Sequence, residues 1–171
     1  LGDLGFVWGP EGLTEESAGV LGEVTGKDVL EVGSGAGQCS RWVRAHGGRP
    51  AGLDLSLRQL QHSRRIDDAT GAVVPVVQGT ATALPFADDT FDIVFSHGVL
   101  HHVPDILAAQ AEIHRVLKPG GKLVVMLYAR RSLNYLVSIA CLRRLAILAA
   151  YPFARLGLIR PKGMLGQHLR Q

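Results

Sequence analysis

The sequence is poor in cysteine and lacks both long apolar runs and metal-ligand spacings, and each shortage excludes a class of protein. Its two cysteines, Cys39 and Cys141, stand far apart, so we expect no disulfide framework, no metal site and a reducing, cytoplasmic location. The first residues carry no charged stretch followed by an apolar core, which predicts no signal peptide. No apolar run reaches the roughly 20 residues that a membrane span needs.

The sequence also has no large excess of positive or negative charge, because its formal net charge is +3 over 171 residues. The basic residues cluster late, at Arg130, Arg131, Arg143, Arg144, Arg155, Arg160, Lys162 and Arg170. A solvated helix face is the more common cause of such a pattern, and contact with nucleic acid or an anionic lipid is the alternative. We expect no nucleic-acid partner. The apolar content of 47% suits a single domain over 1–171. We divide it into an N-terminal cap (1–26), a core (27–128) and a C-terminal helical segment, complete or not (129–171).

The most informative stretch is a buried strand, predicted at 28–32, that runs into a glycine-rich turn. Glycines at 33, 35 and 37 let the backbone bend sharply and approach a ligand, because no Cβ stands in the way. Asp54 ends the next apolar strand, where a carboxylate can accept hydrogen bonds from ribose hydroxyls. The pattern therefore predicts a nucleoside cofactor.

The identity of that cofactor follows from the glycine spacing and from Glu31. Nicotinamide-binding folds use G-x-G-x-x-G and place a pyrophosphate at the helix N-terminus, whereas this turn has G-x-G-x-G spacing. The Glu31 carboxylate beside the turn would repel a pyrophosphate and suits a cationic ligand. S-adenosylmethionine carries a sulfonium and an ammonium and no phosphate, and a ligand-free tight turn is the plain alternative.

Alternating strands and helices predict an α/β fold, a Rossmann-like, doubly wound, mainly parallel sheet with helices on both faces. The predicted strands are 28–32, 50–53, 73–77, 91–95 and 122–127. Pro75 within the third predicted strand argues for a sheet edge. Helices are expected from about Gly37 to His46, after a Ser56-x-x-Gln59 capping box to Ala69, and from Pro104 to about Leu117. Thr14 is expected to cap a short N-terminal helix.

Four segments carry a resemblance to a known family: Glu31–Gly37, Gly52–Ser56, Leu84–Asp92 and Arg115–Gly121. In this order and spacing they resemble the class I S-adenosylmethionine-dependent methyltransferases. The nearest branch is the small-molecule one (methyltransferase type 11) that includes quinone-biosynthesis enzymes. The resemblance covers roughly 29–127 and implies a methyl transfer by in-line displacement, with S-adenosylhomocysteine as product. The C-terminal strand pair usual in this family is absent or truncated in the sequence pattern.

The resemblance also implies which residues hold the cofactor. Glu31 and the turn residues Gly33, Ser34, Gly35 and Gly37 are assigned to the methionine moiety, and Asp54 to the ribose. Leu55 and Ala81 would flank the adenine, Thr80 would touch its amino edge, and Ser96 and His97 would close the methionine end. Thr80 departs from the family, which commonly has an Asp there. A hydroxyl accepts with about half the strength of a charged acceptor, which puts the cofactor affinity in doubt.

A general base is needed only if the methyl acceptor is protonated. His97, His101 and His102 are candidates because imidazole titrates near neutrality, and His101 is the predicted catalytic residue. A structural role for the His101–His102 pair is the alternative. Phe6 and Trp8 are expected either to cover the cofactor or substrate or to anchor the core.

The expected acceptor is a small, apolar molecule, and a lipid-like acceptor with peripheral membrane contact stays open. The apolar positions after Ser132 fit either a fifth helix on the sheet or an apolar lid. A methyltransferase-fold binding or partner protein with weak or no catalysis is the competing hypothesis, favoured by Thr80. A nicotinamide-dependent oxidoreductase is disfavoured by the glycine spacing, and a nucleic-acid methyltransferase by the sequence Ser96–Val99. The pattern does not define an oligomeric state.

Overall fold

Five parallel strands form the sheet of this computed structural model, which describes residues 5–9 and 12–128. The strand order is β3-β2-β1-β4-β5. The strands are β1 (Asp28–Val32), β2 (Arg49–Asp54), β3 (Val76–Gln78), β4 (Phe91–His97) and β5 (Leu117–Met126). Because β1 lies centrally and the order reverses beside it, the carboxyl ends of β1 and β4 open a crevice where ligands bind in such sheets. The predicted doubly wound parallel fold is confirmed.

Four α-helices connect and cover these strands: α1 (Glu15–Ala18), α2 (Gln38–Ala45), α3 (Leu57–Thr70) and α4 (Ile106–Val116). A 3₁₀ turn at Leu100–His102 follows β4. Thr14 accepts from the Ser17 N–H and caps α1, as predicted. Gly71 ends α3 in the left-handed conformation, two residues beyond the expected end at Ala69.

The predicted capping box of α3 forms only in part, and the predicted start of α4 at Pro104 is wrong. Ser56 does cap α3 by accepting from the Gln59 N–H, but the Ser56 N–H donates to Asp54 Oδ1 at 2.8 Å instead of to the Gln59 side chain. The capping box is therefore only half formed, because the nearby carboxylate is the stronger acceptor. Before α4 the capping residue is Asp105, which accepts from the Ala108 N–H at 2.9 Å, and Pro104 lies outside the helix.

Two strands begin more than one residue away from the predicted start. β3 begins only after Pro75, since proline cannot donate to a sheet, and β3 is an edge strand as expected. β5 begins at Leu117 and includes the segment Lys118–Gly121, which was expected to separate α4 from the strand. An irregularity in the β4–β5 register, between Phe91 and Ile93, accommodates that segment.

The core is divided between the two faces of the sheet because side chains alternate along each strand. On one face Leu30, Val32 and Val94 pack with Ile113 and Val116 of α4. On the other face the alternate strand residues pack with α2 and with the N-terminal segment, in a cluster that includes Val29, Ile93, Phe95, Trp42, Val43, Phe6 and Trp8. Phe6 is fully buried and Trp8 is 6% exposed, so both are core anchors.

The chain divides into two compact units, Leu1–Leu127 and Tyr128–Gln171, and every described residue except Tyr128 belongs to the first. The predictions for 129–171, namely a helical segment or lid and a missing strand pair, lie outside the described residues. Within the described part, no helix is long and apolar enough to cross a membrane.

Candidate active site

The glycine turn after β1 is tied directly to the end of β2. The Gly33 and Ser34 N–H groups both donate to the Leu53 carbonyl, at 2.7 and 2.9 Å. Gly33 has a φ of +85°, and a Cβ built on it would lie 2.3 Å from Val99 Cγ2. Only glycine fits this position, because a larger residue would be strained and would collide with the segment after β4.

Asp54 connects the same two elements through its side chain. Its Oδ2 accepts from the Gly35 N–H at 2.7 Å and its Oδ1 accepts from the Ser56 N–H at 2.8 Å. Each carboxylate oxygen can accept further hydrogen bonds. The carboxylate is therefore held rigidly and retains acceptor capacity for a ligand hydroxyl.

Glu31 has a different environment from the one the sequence suggested. Its carboxylate is buried and accepts from the N–H and the hydroxyl of Ser40, in the first turn of α2. Burial raises the pKa of Glu31 to about 7, against the lowering effect of the Ser40 hydrogen bonds. Burial, together with the Glu31 carboxylate, also raises the pKa of the Cys39 thiol well above its usual value, so this thiol is unreactive.

The position of Glu31 bears on the choice of cofactor. In dinucleotide-binding folds a pyrophosphate occupies the N-terminus of the helix that follows the glycine turn. Here the Glu31 carboxylate occupies that place at α2, where the helix dipole favours negative charge. Above the pKa of Glu31, about 7, a phosphate would meet like charge there, which disfavours a dinucleotide.

A cavity of about 190 Å³ lies beside Asp54 at the carboxyl end of the sheet. Its lining comes from the ends of three strands and from the segment before α4: Val32, Gly33, Leu53, Asp54, Leu55, Gly79, Thr80, Ala81, Val99, His102, Val103 and Pro104. One carboxylate, one hydroxyl and one imidazole stand among mainly apolar walls, and none of the described lining residues is a lysine or arginine. This chemistry fits an uncharged purine nucleoside, whose hydroxyls need acceptors and whose ring needs apolar contact.

Five of the predicted cofactor residues line this cavity: Gly33, Asp54, Leu55, Thr80 and Ala81. The Thr80 hydroxyl lies 3.0 Å from the Thr82 hydroxyl, and Leu55 is 72% exposed at the rim. Gly35 contributes its N–H to Asp54, and Gly37 begins α2 in the left-handed conformation. The assignment of these residues to a cofactor stays a prediction.

The remaining predicted residues lie away from the cavity. The Ser34 side chain is buried against Gly52, and the buried Ser96 hydroxyl donates to the Val32 carbonyl at 2.9 Å. The His97 Nε2 lies 3.2 Å from the Trp8 carbonyl. Because a carbonyl can only accept, Nε2 carries the proton and Nδ1 holds the lone pair when the ring is neutral.

The histidine pair lies in the 3₁₀ turn, before α4. His102 lines the cavity, whereas His101 does not, and their ring centroids are 4.0 Å apart. Partial desolvation and the neighbouring His102 lower the pKa of His101, which favours its neutral form. The proposed catalytic role of His101 stays a prediction.

Sequence reasoning missed most of the far wall of the cavity, namely Val99, Val103 and Pro104, which stand there beside the candidate base His102. Their position directly after β4 was the available signal, because the carboxyl ends of neighbouring parallel strands meet at one edge. Residues 5–9 and 12–128 contain no group of three or more His, Cys, Asp or Glu side chains that could hold a metal ion.

The fold and the cavity thus define a doubly wound α/β protein with a mainly apolar pocket beside a glycine turn. The sequence profile of the methyltransferase domain family matches residues 30–125, more than half of the chain. The chain therefore belongs to this family, and the predicted membership in the class I S-adenosylmethionine-dependent methyltransferases is confirmed. S-adenosylmethionine is the cofactor of this class.

Curated relatives and solved structures agree with this assignment. The chain is 37% identical over 110 residues to a demethylmenaquinone methyltransferase of Tropheryma whipplei (strain Twist), covering 62% of this chain and 44% of the relative. It is 42% identical over 106 residues to the demethylmenaquinone methyltransferase of Renibacterium salmoninarum, covering 61% and 43%. The chain spans less than half the length of these relatives. An S-adenosylmethionine-dependent methyltransferase structure from Mesorhizobium loti matches with a TM-score of 0.57 at 32% identity, covering 63% and 50%.

Proposed function

We propose that this protein transfers a methyl group from S-adenosylmethionine to a small, apolar acceptor. The observation that carries the proposal is the Asp54 carboxylate, fixed by the glycine turn at the edge of an apolar cavity. Glu31 at the start of α2 supports it, because an acid there disfavours the phosphates of the alternative cofactors.

When bound, S-adenosylmethionine supplies an electrophilic methyl group whose sulfur leaves as the neutral thioether of S-adenosylhomocysteine. In our proposal Asp54 accepts from the ribose hydroxyls, and Leu55 and Ala81 contact the adenine. Thr80 meets the adenine amino edge, with Thr82 sharing its hydroxyl. Glu31 and the turn Gly33–Gly37 lie toward the methionine end. The buried Glu31 carboxyl is bonded to Ser40, so it supports that end through the start of α2, and its charge adds to this effect above its pKa of about 7.

The chain itself supplies orientation and a dry site rather than a nucleophile. The acceptor atom forms the new bond to carbon, and any proton on that atom must leave to a base. His101 is the proposed base, and its lowered pKa keeps the imidazole able to take a proton near neutral pH. His97 is a second candidate through Nδ1, because its Nε2 is engaged by the Trp8 carbonyl.

The acceptor class rests on the relatives. Two of them are demethylmenaquinone methyltransferases, at 37% and 42% identity. This similarity supports a quinone-like, apolar acceptor, which could be lipid-like and met at a membrane surface. We also propose a cytoplasmic location, which the scarcity of cysteine supports.

The first test is calorimetric titration of the 171-residue chain with S-adenosylmethionine and S-adenosylhomocysteine, with NADH as the control ligand. We expect micromolar binding of the first two and none of NADH. Methyl transfer from labelled cofactor to a reduced naphthoquinone with a short isoprenoid tail then tests the acceptor, with a polar catechol as control. Binding of NADH alone would contradict S-adenosylmethionine as the cofactor. Methyl transfer to the catechol alone would contradict an apolar, quinone-like acceptor.

A binding or partner protein without catalysis is the second candidate, and Thr80 favours it, because a neutral hydroxyl is a weaker acceptor than a carboxylate. A Thr80→Asp variant distinguishes the two. If the variant binds the cofactor much more tightly and transfers methyl groups that the native chain does not, the native chain is a binding protein. Activity in the native chain would exclude it.

A further inference from the structure

Arg41 of α2 is an almost fully buried cation directly beneath the glycine turn. Its side chain is 2% exposed, and it pairs with Asp67 of α3, whose side chain is 9% exposed, at 2.6 Å. A buried ion pair is costly unless its remaining hydrogen bonds are satisfied, and among the described residues Nε of Arg41 has no partner. The other partners of the guanidinium therefore indicate why it is there.

Those partners connect α3 to the glycine turn. Nη1 of Arg41 donates to the Ala36 carbonyl, between Gly35 and Gly37. Nη2 donates to the Ser63 carbonyl at 2.8 Å and to its hydroxyl at 3.0 Å, as well as to Asp67. One planar guanidinium thus bonds both to the turn and to α3, a geometry that lysine cannot reproduce.

The packing around Gly37 is fitted to this arrangement. A Cβ on Gly37 would lie 3.0 Å from the Ser63 hydroxyl and 3.2 Å from Nη1 of Arg41. The absence of a side chain at 37 therefore leaves room for the guanidinium to reach Ala36. The neighbouring Gly35 N–H points to Asp54, so the conformation of the turn and the position of that carboxylate are connected.

We propose that Arg41 is a positioning residue for the cofactor site. It acts through the Ala36 carbonyl and holds the glycine turn in the conformation that engages Asp54, and Asp67 holds Arg41. The inference rests on the proposed function, because it concerns the affinity for S-adenosylmethionine. It adds a residue that contacts no cofactor and lies outside the cavity.

The test replaces the ion pair by apolar residues, in an Arg41→Met/Asp67→Leu variant. Such replacements of buried pairs are often neutral or stabilising, so stability and positioning can be separated. We expect the variant to stay folded while its Kd for S-adenosylmethionine rises about tenfold, which corresponds to about 1.4 kcal/mol. We also expect faster hydrogen exchange at the Gly35 and Gly37 N–H groups in the ligand-free chain. A folded variant with an unchanged Kd and unchanged exchange would overturn the proposal.

Arg41→Lys is the second variant, used if the double variant does not fold. Lysine can pair with Asp67 but cannot also reach Ala36 with a fork of donors, so the Kd should again rise. The matched control is Val43→Ala, which creates a cavity on the same helix without touching the turn. If both variants lose equal thermal stability and show equal changes in Kd, the role of Arg41 is structural only and the proposal is wrong.

The two proposals fail in different ways. If the unaltered chain binds no S-adenosylmethionine, the proposed function falls, and the exchange rates of the ligand-free chain still decide whether Arg41 holds the turn. If the unaltered chain binds and the Arg41 variants bind equally well, the positioning role alone falls.

Discussion

The Gly35 amide lies 2.7 Å from Asp54 Oδ2, so the carboxylate that we assign to the ribose also holds the glycine turn in place. Asp54→Ala should therefore lower cofactor affinity by about 10- to 100-fold, because charged hydrogen bonds contribute about 1.5–3 kcal/mol. It should also lower the melting temperature. Calorimetric titration and thermal unfolding measure the two effects, and an unchanged Kd would contradict the ribose assignment.

The control for Asp54 is a carboxylate at the opposite end of the sheet. Asp28 lies at the start of β1 and pairs with Arg49 at 2.7 Å and Lys118 at 3.1 Å. Those cations lower the pKa of Asp28 to about 2, the Arg49 hydrogen bond being the largest cause. Asp28→Asn should lower the stability and leave the Kd for the cofactor unchanged.

Gly33→Ala tests the close approach of the turn to Val99. The substitution places a Cβ 2.3 Å from Val99 Cγ2 and strains a backbone with φ of +85°. Gly71→Ala is the matched control, since Gly71 has a φ of +71° with nothing within 4 Å of its built Cβ. In both variants the left-handed conformation should lower the free energy of unfolding by about 1–2 kcal/mol. Only Gly33→Ala should lower it further, as thermal unfolding measures, and weaken cofactor binding. Equal losses in the two variants would contradict the contact.

The raised pKa of Glu31 predicts a specific pH dependence of stability. Between about pH 4.5 and pH 7 the folded chain holds a proton on Glu31 that the unfolded chain releases, so stability falls as the pH rises. Glu31→Gln removes this loss and can still accept from Ser40. The melting temperature of the variant minus that of the unaltered chain should therefore rise with pH up to about 7 and then level.

Glu23→Gln is the control for that experiment. Glu23 is exposed, and its pKa is lowered by the hydrogen bonds of Thr25. Its variant should therefore show no rise in the melting-temperature difference between pH 4.5 and 7. A flat profile for Glu31→Gln would mean that the Glu31 carboxyl ionises normally in the folded chain.

Glu15 is the organising acceptor of the N-terminal segment. Its carboxylate is 3% exposed and accepts from Trp8 Nε1 at 2.6 Å and from the Leu21 N–H at 2.7 Å, with further bonds to Val20 and Gly22. Glu15→Gln would present an amide donor to these donors and should cost about 1–3 kcal/mol. We expect a lower melting temperature and a red-shifted tryptophan emission. Glu16→Gln, at an exposed carboxylate bonded to Trp42, should change both much less.

The linear sequence determined those features that depend on local backbone chemistry. Glycines at 33 and 37, the apolar run before them and Asp54 after β2 define a turn and a carboxylate whatever surrounds them, and alternating strands and helices allow few topologies. β1 matched its prediction at both ends for this reason. Pro75 predicted an edge strand because proline lacks the backbone N–H that a neighbouring strand would bond, and this effect does not depend on the rest of the fold.

The tertiary structure decided where side chains point. The sequence pattern predicts that Glu31 faces the ligand. In the structure its carboxylate is buried and accepts from the N–H and the hydroxyl of Ser40, at the start of α2. Arg41 and Asp67 stand 26 residues apart, and only the packing of α2 against α3 forms their pair. His102, rather than His101, lines the cavity because the 3₁₀ turn sets which ring faces inward. Such contacts depend on distances between elements, which no local pattern contains.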